Sequence, residues 1–167
     1  MYRKYLLIVT IGMIALSSCK KNLPTVGGTA AQKMANEWWV TFTLNGVDQI
    51  GTHVKIKTSN TSANDDSLWV DDFPVANTQS GNVWGFQVKT KADFNALTFN
   101  TSNYLNAHPG YPIHITITNG QVFPKLGHSK SGVIVDSIHM KIHFEDDPGN
   151  TYDLSGTERT RFVEDEY

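Results

Sequence analysis

From Glu37 onward, apolar and polar residues alternate with period two, the side-chain period of a half-buried β-strand. In EWWVTFTL, Trp38, Val40, Phe42 and Leu44 point one way, while Trp39, Thr41 and Thr43 point the other. Val54 and Ile56 alternate with lysines, and Trp84, Phe86 and Val88 alternate with Gly85, Gln87 and Lys89. Ile113, Ile115 and Ile117 alternate with His114, Thr116 and Thr118. Ile138, Met140, Ile142 and Phe144 alternate with His139, Lys141, His143 and Glu145. The pattern predicts eight to ten antiparallel strands, near 37–44, 51–58, 67–73, 82–90, 94–100, 111–118, 121–125, 133–144 and 151–163. Only Ala30 to Asn36, AAQKMAN, is rich in helix formers, and it predicts one or two helical turns.

The punctuation agrees with this reading. Asn45-Gly46 and Asn119-Gly120 stand between alternating runs and suit two-residue type I′ hairpin turns. Asp146-Asp147-Pro148-Gly149-Asn150 is a third turn, and Ser80-Gly81-Asn82 a weaker fourth. Strands joined by consecutive hairpins must hide their edges, and a meander does so by closing on itself. The expectation is therefore an all-β, antiparallel, up-and-down barrel of about 8–10 strands. About eight strands enclose an interior wide enough for side chains or for one small ligand.

The first residues belong to a different class. Arg3 and Lys4 precede an apolar run from Leu6 to Leu16, too short to span a bilayer but suited to a secretory signal. Leu16-Ser17-Ser18-Cys19 then reads as a bacterial lipobox, and Cys19 is the single cysteine of the 167-residue chain. The organisation expected is a signal peptide over 1–18, a lipidated tether over 19–29 and the barrel with its short helix over 30–167. Two or more acyl chains on Cys19 anchor stably, whereas one holds only marginally. The partner expected first is thus a membrane, through acylated Cys19. The location expected is the cell envelope, at the outer membrane facing the periplasm. Removing Arg3 and Lys4 from the 14 basic residues leaves 12 against 16 acidic ones, a net charge of −4. With no basic stripe, nucleic acid is not a partner to expect.

Candidate chemistry changes this picture little. LGHSKSG, residues 126–132, resembles a nucleophile elbow around Ser129, but its second glycine comes one residue late. A strand pattern follows it where the elbow needs a helix. It reads as a polar loop, and no catalytic residue is assigned. His139 and His143 lie four apart, a zinc spacing on a helix but about 13 Å on a strand. Whether His114 joins either depends on strand register, and no metal ligand is assigned. No cofactor is called for.

The aromatic load on the strands is what stands out. Its functional reading is a cavity for a hydrophobic guest, walled by Trp38, Val40, Phe42, Trp84, Phe86, Ile115, Met140 and Phe144. The lipobox, the Asn36-Glu37-Trp38-Trp39-Val40 segment, the β-rich middle and the closing Ser155-Gly156-Thr157-Glu158-Arg159-Thr160-Arg161-Phe162-Val163-Glu164-Asp165 together resemble the bacterial family of lipid-binding putative hydrolases, whose fold is lipocalin-like. The resemblance implies a calycin-like barrel that accepts a lipid or other apolar guest. It carries no catalytic residue onto this sequence. Three functions follow as expectations: binding a hydrophobic small molecule without catalysis, hydrolysis of a lipid or ester by residues assembled across strands, or service as an accessory subunit of an envelope complex.

Overall fold

The computed structural model describes residues 27–63 and 65–167, so residues 1–18, expected to be a signal peptide, and Cys19 lie outside the described residues. Nine strands follow in chain order: β1 (Glu37–Leu44), β2 (Val47–Asp48), β3 (Val54–Asn60), β4 (Ser67–Asp71), β5 (Gln87–Asp93), β6 (Thr98–Leu105), β7 (His114–His128), β8 (Ile134–Phe144) and β9 (Tyr152–Glu158). Each pairs antiparallel with its neighbour, and β9 returns to pair with β1, so eight strands close a barrel. The two-residue β2 extends the Asn45-Gly46 hairpin off β1, with Leu44 opposite Val47. Both turn residues take positive φ, 51° and 80°, as a type I′ turn requires.

The inward faces are those the alternation predicts. Trp38, Val40 and Phe42 of β1, Ile115 and Ile117 of β7, and Ile138, Met140, Ile142 and Phe144 of β8 share one buried cluster. At the end where β1 begins, Ala31 and Met34 complete that cluster. Thr58 fixes the arrangement: its hydroxyl accepts from Trp38 Nε1 at 2.8 Å and donates to the Met34 carbonyl.

Several local expectations are corrected. The predicted helical turns shrink to one 3-10 turn, Ala30–Lys33. Asn119-Gly120 forms no hairpin. It lies inside β7, where the register against β8 shifts between Thr118 and Gln121, so the predicted strands 111–118 and 121–125 are one bulged strand. Ser80-Gly81-Asn82 joins no hairpin either, but bends a long segment, 72–86, between β4 and β5. β5 starts at Gln87, so Trp84 is carried by that segment and not by a strand. The last strand stops at Glu158, and the following residues turn back across the barrel's outside.

Candidate functional site

The barrel has two ends with different chemistry. At the end where β1 finishes and β9 begins, four aromatic rings pack together. Trp84 stacks on Phe144 with centroids 4.6 Å apart, and Phe42 stacks on Tyr152 at 4.4 Å. Trp84 also lies 5.5 Å from Tyr152 and 6.2 Å from Phe42. Phe86 reaches Phe144 from below at 6.1 Å. The strands supply Phe42, Phe144 and Tyr152 as inward positions, while the 72–86 segment lays Trp84 over them as a lid.

Two polar side chains hold that lid in place. Asp72 is fully buried, and its carboxylate accepts the backbone N–H groups of Val83, Trp84, Gly85 and Phe86 at 2.8–2.9 Å. Four such charge-assisted bonds replace the water the carboxylate loses on burial. Buried Asn106 accepts from the Gln87 and His108 N–H groups and donates to the Gly85 and Tyr111 carbonyls. It thereby ties the lid to the 106–112 loop, which is further held where His108 Nε2 meets the Thr78 carbonyl at 2.6 Å.

Two adjacent carboxylates, Asp146 and Asp147, stand at this mouth. Trp84 Nε1 donates to the Tyr111 hydroxyl at 2.7 Å, and that hydroxyl donates to Asp146. The Tyr152 hydroxyl donates to Asp147. Burial, with those carboxylates as acceptors, pushes both phenols up to about 12. They remain protonated donors across the physiological range.

Beside the lid, on the outer surface, lies a groove of about 420 Å³ lined by Lys57, Asp71, Phe73, Gln87 and His108 among others. Lys57 Nζ stands 3.2 Å from Asp71 Oδ2, an ion pair without hydrogen-bond geometry, and Asp71 Oδ1 accepts from the Phe73 N–H at 3.1 Å. Burial raises the Asp71 pKa against both of these influences.

All eight residues predicted to wall a cavity come together. Trp38, Val40, Phe42, Phe86, Ile115, Met140 and Phe144 are in the buried cluster, and half-buried Trp84 packs against it. Trp38, Phe86, Phe144, Ile115 and Met140 are among the largest fully buried side chains, so these residues fill space as well as enclosing it. The sequence reading missed Asp72 and Asn106. A doubled aspartate at a predicted strand end looks like solvated charge, and only the fold shows its acceptors facing inward.

The histidines and Ser129 take structural places. His114 Nδ1 lies 2.9 Å from Glu145, His139 Nε2 lies 3.2 Å from Asp153, and His143 Nδ1 lies 2.7 Å from the Asn150 carbonyl. Among the described residues, no three His, Cys, Asp or Glu side chains gather as metal ligands. Ser129 is buried; its hydroxyl meets that of Ser131 at 3.1 Å and accepts from the Val133 N–H. The loop grips the C-terminal segment, where Asp165 accepts from the Ser131 N–H at 2.6 Å and from the Thr160 hydroxyl at 2.7 Å.

A closed antiparallel barrel of eight strands with an aromatic interior and a loop over one mouth is a lipocalin-like fold. The sequence profile of the family described as lipid-binding putative hydrolase matches residues 23–163, and the chain belongs to that family. No curated protein matches it by sequence.

Proposed function

We propose that this chain is a lipid-anchored protein of the bacterial envelope whose barrel takes up a hydrophobic small molecule at the Trp84 end, without chemistry on it. The anchor is acylated Cys19, as the lipobox implies, and the lack of an acidic run just after it favours the outer membrane facing the periplasm. The observation that carries the binding reading is that Trp84 covers the aromatic interior from a loop. The Trp84 backbone is held by the Asp72 carboxylate and not by a strand ladder, so its side chain can rotate off the stack with the barrel's ladders intact. Swinging Trp84 aside uncovers the faces of Phe144 and Phe42, and an acyl chain lying there buries its surface against them. Asp146 and Asp147 at the mouth disfavour a guest with a carboxylate head and favour one that is neutral or cationic.

The mature chain with Cys19→Ser, purified from a bacterial host, tests this by native mass spectrometry and by titration with a fluorescent monoacylglycerol. A co-purifying apolar mass, and titratable binding weakened by Trp84→Ala, are the expected results. A protein that carries no guest and binds no neutral lipid overturns the reading. The filling of the interior by large side chains favours a second reading, an accessory subunit of an envelope complex. That reading predicts the same negative result together with co-purification of a protein partner from native membranes.

A further inference from the structure

We propose that the opposite end of the barrel is a bilayer-docking surface: the β7–β8 hairpin tip and the C-terminal turn seat Leu126, Val133, Ile134, Phe162 and Val163 in the interfacial region, with Lys125 and Arg161 against headgroups. The bilayer meant is the one that carries the proposed anchor, so the orientation rests on that reading, while the affinity of the surface does not.

β7 pairs with the first residue of β6 at Gln121 and then continues to His128, so its hairpin with β8 extends past the strand beside it. On that extension Leu126 is 72% exposed and Ile134 62% exposed, with Val133 open between the strands. The C-terminal segment adds Val163, 89% exposed at the start of a 3-10 turn, and the exposed Phe162 just before it. The two segments are bonded to each other: Asp165 accepts from the Ser131 N–H, and Lys130 Nζ donates to the Glu166 carbonyl at 3.0 Å. Polar bonds thus hold apolar side chains outward in a fixed place, the reverse of what a water-facing end needs. Single exposed apolar residues are ordinary, but a group of five on two bonded segments marks an interaction surface. Elsewhere Val47 and Ile50 on one segment, Val75 on a second and Leu105 on a third are also exposed, no more than two together.

Charge and chain direction select a membrane as the occupant. On these two segments the most exposed charged side chains are Lys125, Lys130, Arg161 and Glu164. Arg161 Nε also lies 3.9 Å from Glu37, and Asp136 and Glu166 are half-buried, so the cationic excess that suits anionic headgroups is confined to the outermost positions. Residue 27 enters at this same end, because the 3-10 turn that follows it packs where β1 begins and β9 finishes. Gly27 lies eight positions after Cys19, and a chain of that length reaches at most about 28 Å. An acylated Cys19 therefore keeps the point where the chain enters this end within about 28 Å of the lipid.

Two measurements test the proposal. In the first, the mature chain with Cys19→Ser sediments with vesicles of phosphatidylcholine and phosphatidylglycerol. The expected result is binding that falls about tenfold or more in L126S/I134S and in F162S/V163S, and that V47S leaves unchanged. Absence of binding by the unsubstituted chain, or equal binding by all variants, overturns the proposal. In the second, an environment-sensitive dye on Ile134→Cys is followed in the acylated protein reconstituted into pure lipid. A blue shift there, absent for a dye on Val47→Cys, supports docking. A shift seen only in native membranes assigns the surface to a protein partner and overturns it. Failure of the anchoring reading appears separately, as a mature protein whose mass lacks acyl chains.

Discussion

Asp71 and Asp72 stand side by side at the end of β4, and their carboxylates meet opposite surroundings. Asp72 accepts four backbone N–H groups from residues 83–86. In Asp72→Asn an amide NH2 replaces one acceptor and faces donors it cannot satisfy. We expect a loss of about 2–4 kcal/mol in urea unfolding, with a change in near-ultraviolet dichroism as Trp84 leaves its stack. Asp71 has only Lys57 and the Phe73 N–H, and burial raises its pKa above the ordinary 3.8. A raised folded pKa means that ionising the group costs stability as pH climbs from the unfolded value through the folded one. Asp71→Asn should therefore match or exceed the parent's stability at pH 7, and any advantage should vanish below the ordinary value of 3.8, where the parent is protonated in both states. Asp165 shows the other sign. Hydrogen bonds from Thr160 and the serine loop hold it at about 2, so its contribution is complete above 3.8 and lost as pH falls through about 2. Across that window the C-terminal segment should release Trp39, whose ring Tyr167 contacts at 5.5 Å, and tryptophan emission should report the release.

At the scale of the element, β7 shows where local signals end. Period-two alternation located the strands, and Asn45-Gly46 was legible as a hairpin because nothing longer-range competes at that turn. Asn119-Gly120 carries the same two letters, yet forms a bulge. Asn119 takes φ 53°, which either a turn or a bulge accepts, and the choice is made by Phe99 on β6 across the sheet. A side chain at Gly120 would bring a Cβ within 2.4 Å of the Phe99 carbonyl and 2.5 Å of its ring. Gly120→Ala should therefore cost about 1–3 kcal/mol in chemical unfolding with an unchanged denaturant slope, since the strand deforms without losing its fold. The lid was illegible for a similar reason. Trp84, Phe86 and Val88 alternate as a strand does, and only Asp72, twelve residues upstream of Trp84, draws residues 83–86 off the ladder. The six interior residues on strands, Trp38, Val40, Phe42, Ile115, Met140 and Phe144, were legible as a group because inward position there needs only the alternation. Which interior residue a guest could displace depends on the backbone that carries it, and the alternation is silent on that.

At the scale of the molecule, the fold depends on a seam between its first and last strands. Val40 of β1 lies opposite Gly156 of β9, and Ile138 of β8 lies opposite Gly156 on its other side. The approach is close: a Cβ at Gly156 would stand 1.9 Å from the Trp39 carbonyl and 2.6 Å from the Val40 Cα. These are backbone atoms fixed by pairing on both sides, so they cannot give way as the end of a side chain would. The seam also joins segments far apart in sequence, as the bond from the Thr41 hydroxyl to the Ser155 carbonyl shows. Contacts of this kind form late, after the loop-closure cost of the intervening chain has been met. Gly156→Ala should thus act on closure and not on strand formation. The variant should lose about 3 kcal/mol or more, fold more slowly, and exchange the backbone amides of β1 and β9 well before those of β7 and β8. It should also self-associate, because an open seam leaves unpaired the two long edges of β1 and β9 that the closed barrel pairs with each other. Uniform acceleration of exchange across all strands would instead mean that the barrel unfolds as one unit, with the seam no weaker than the rest.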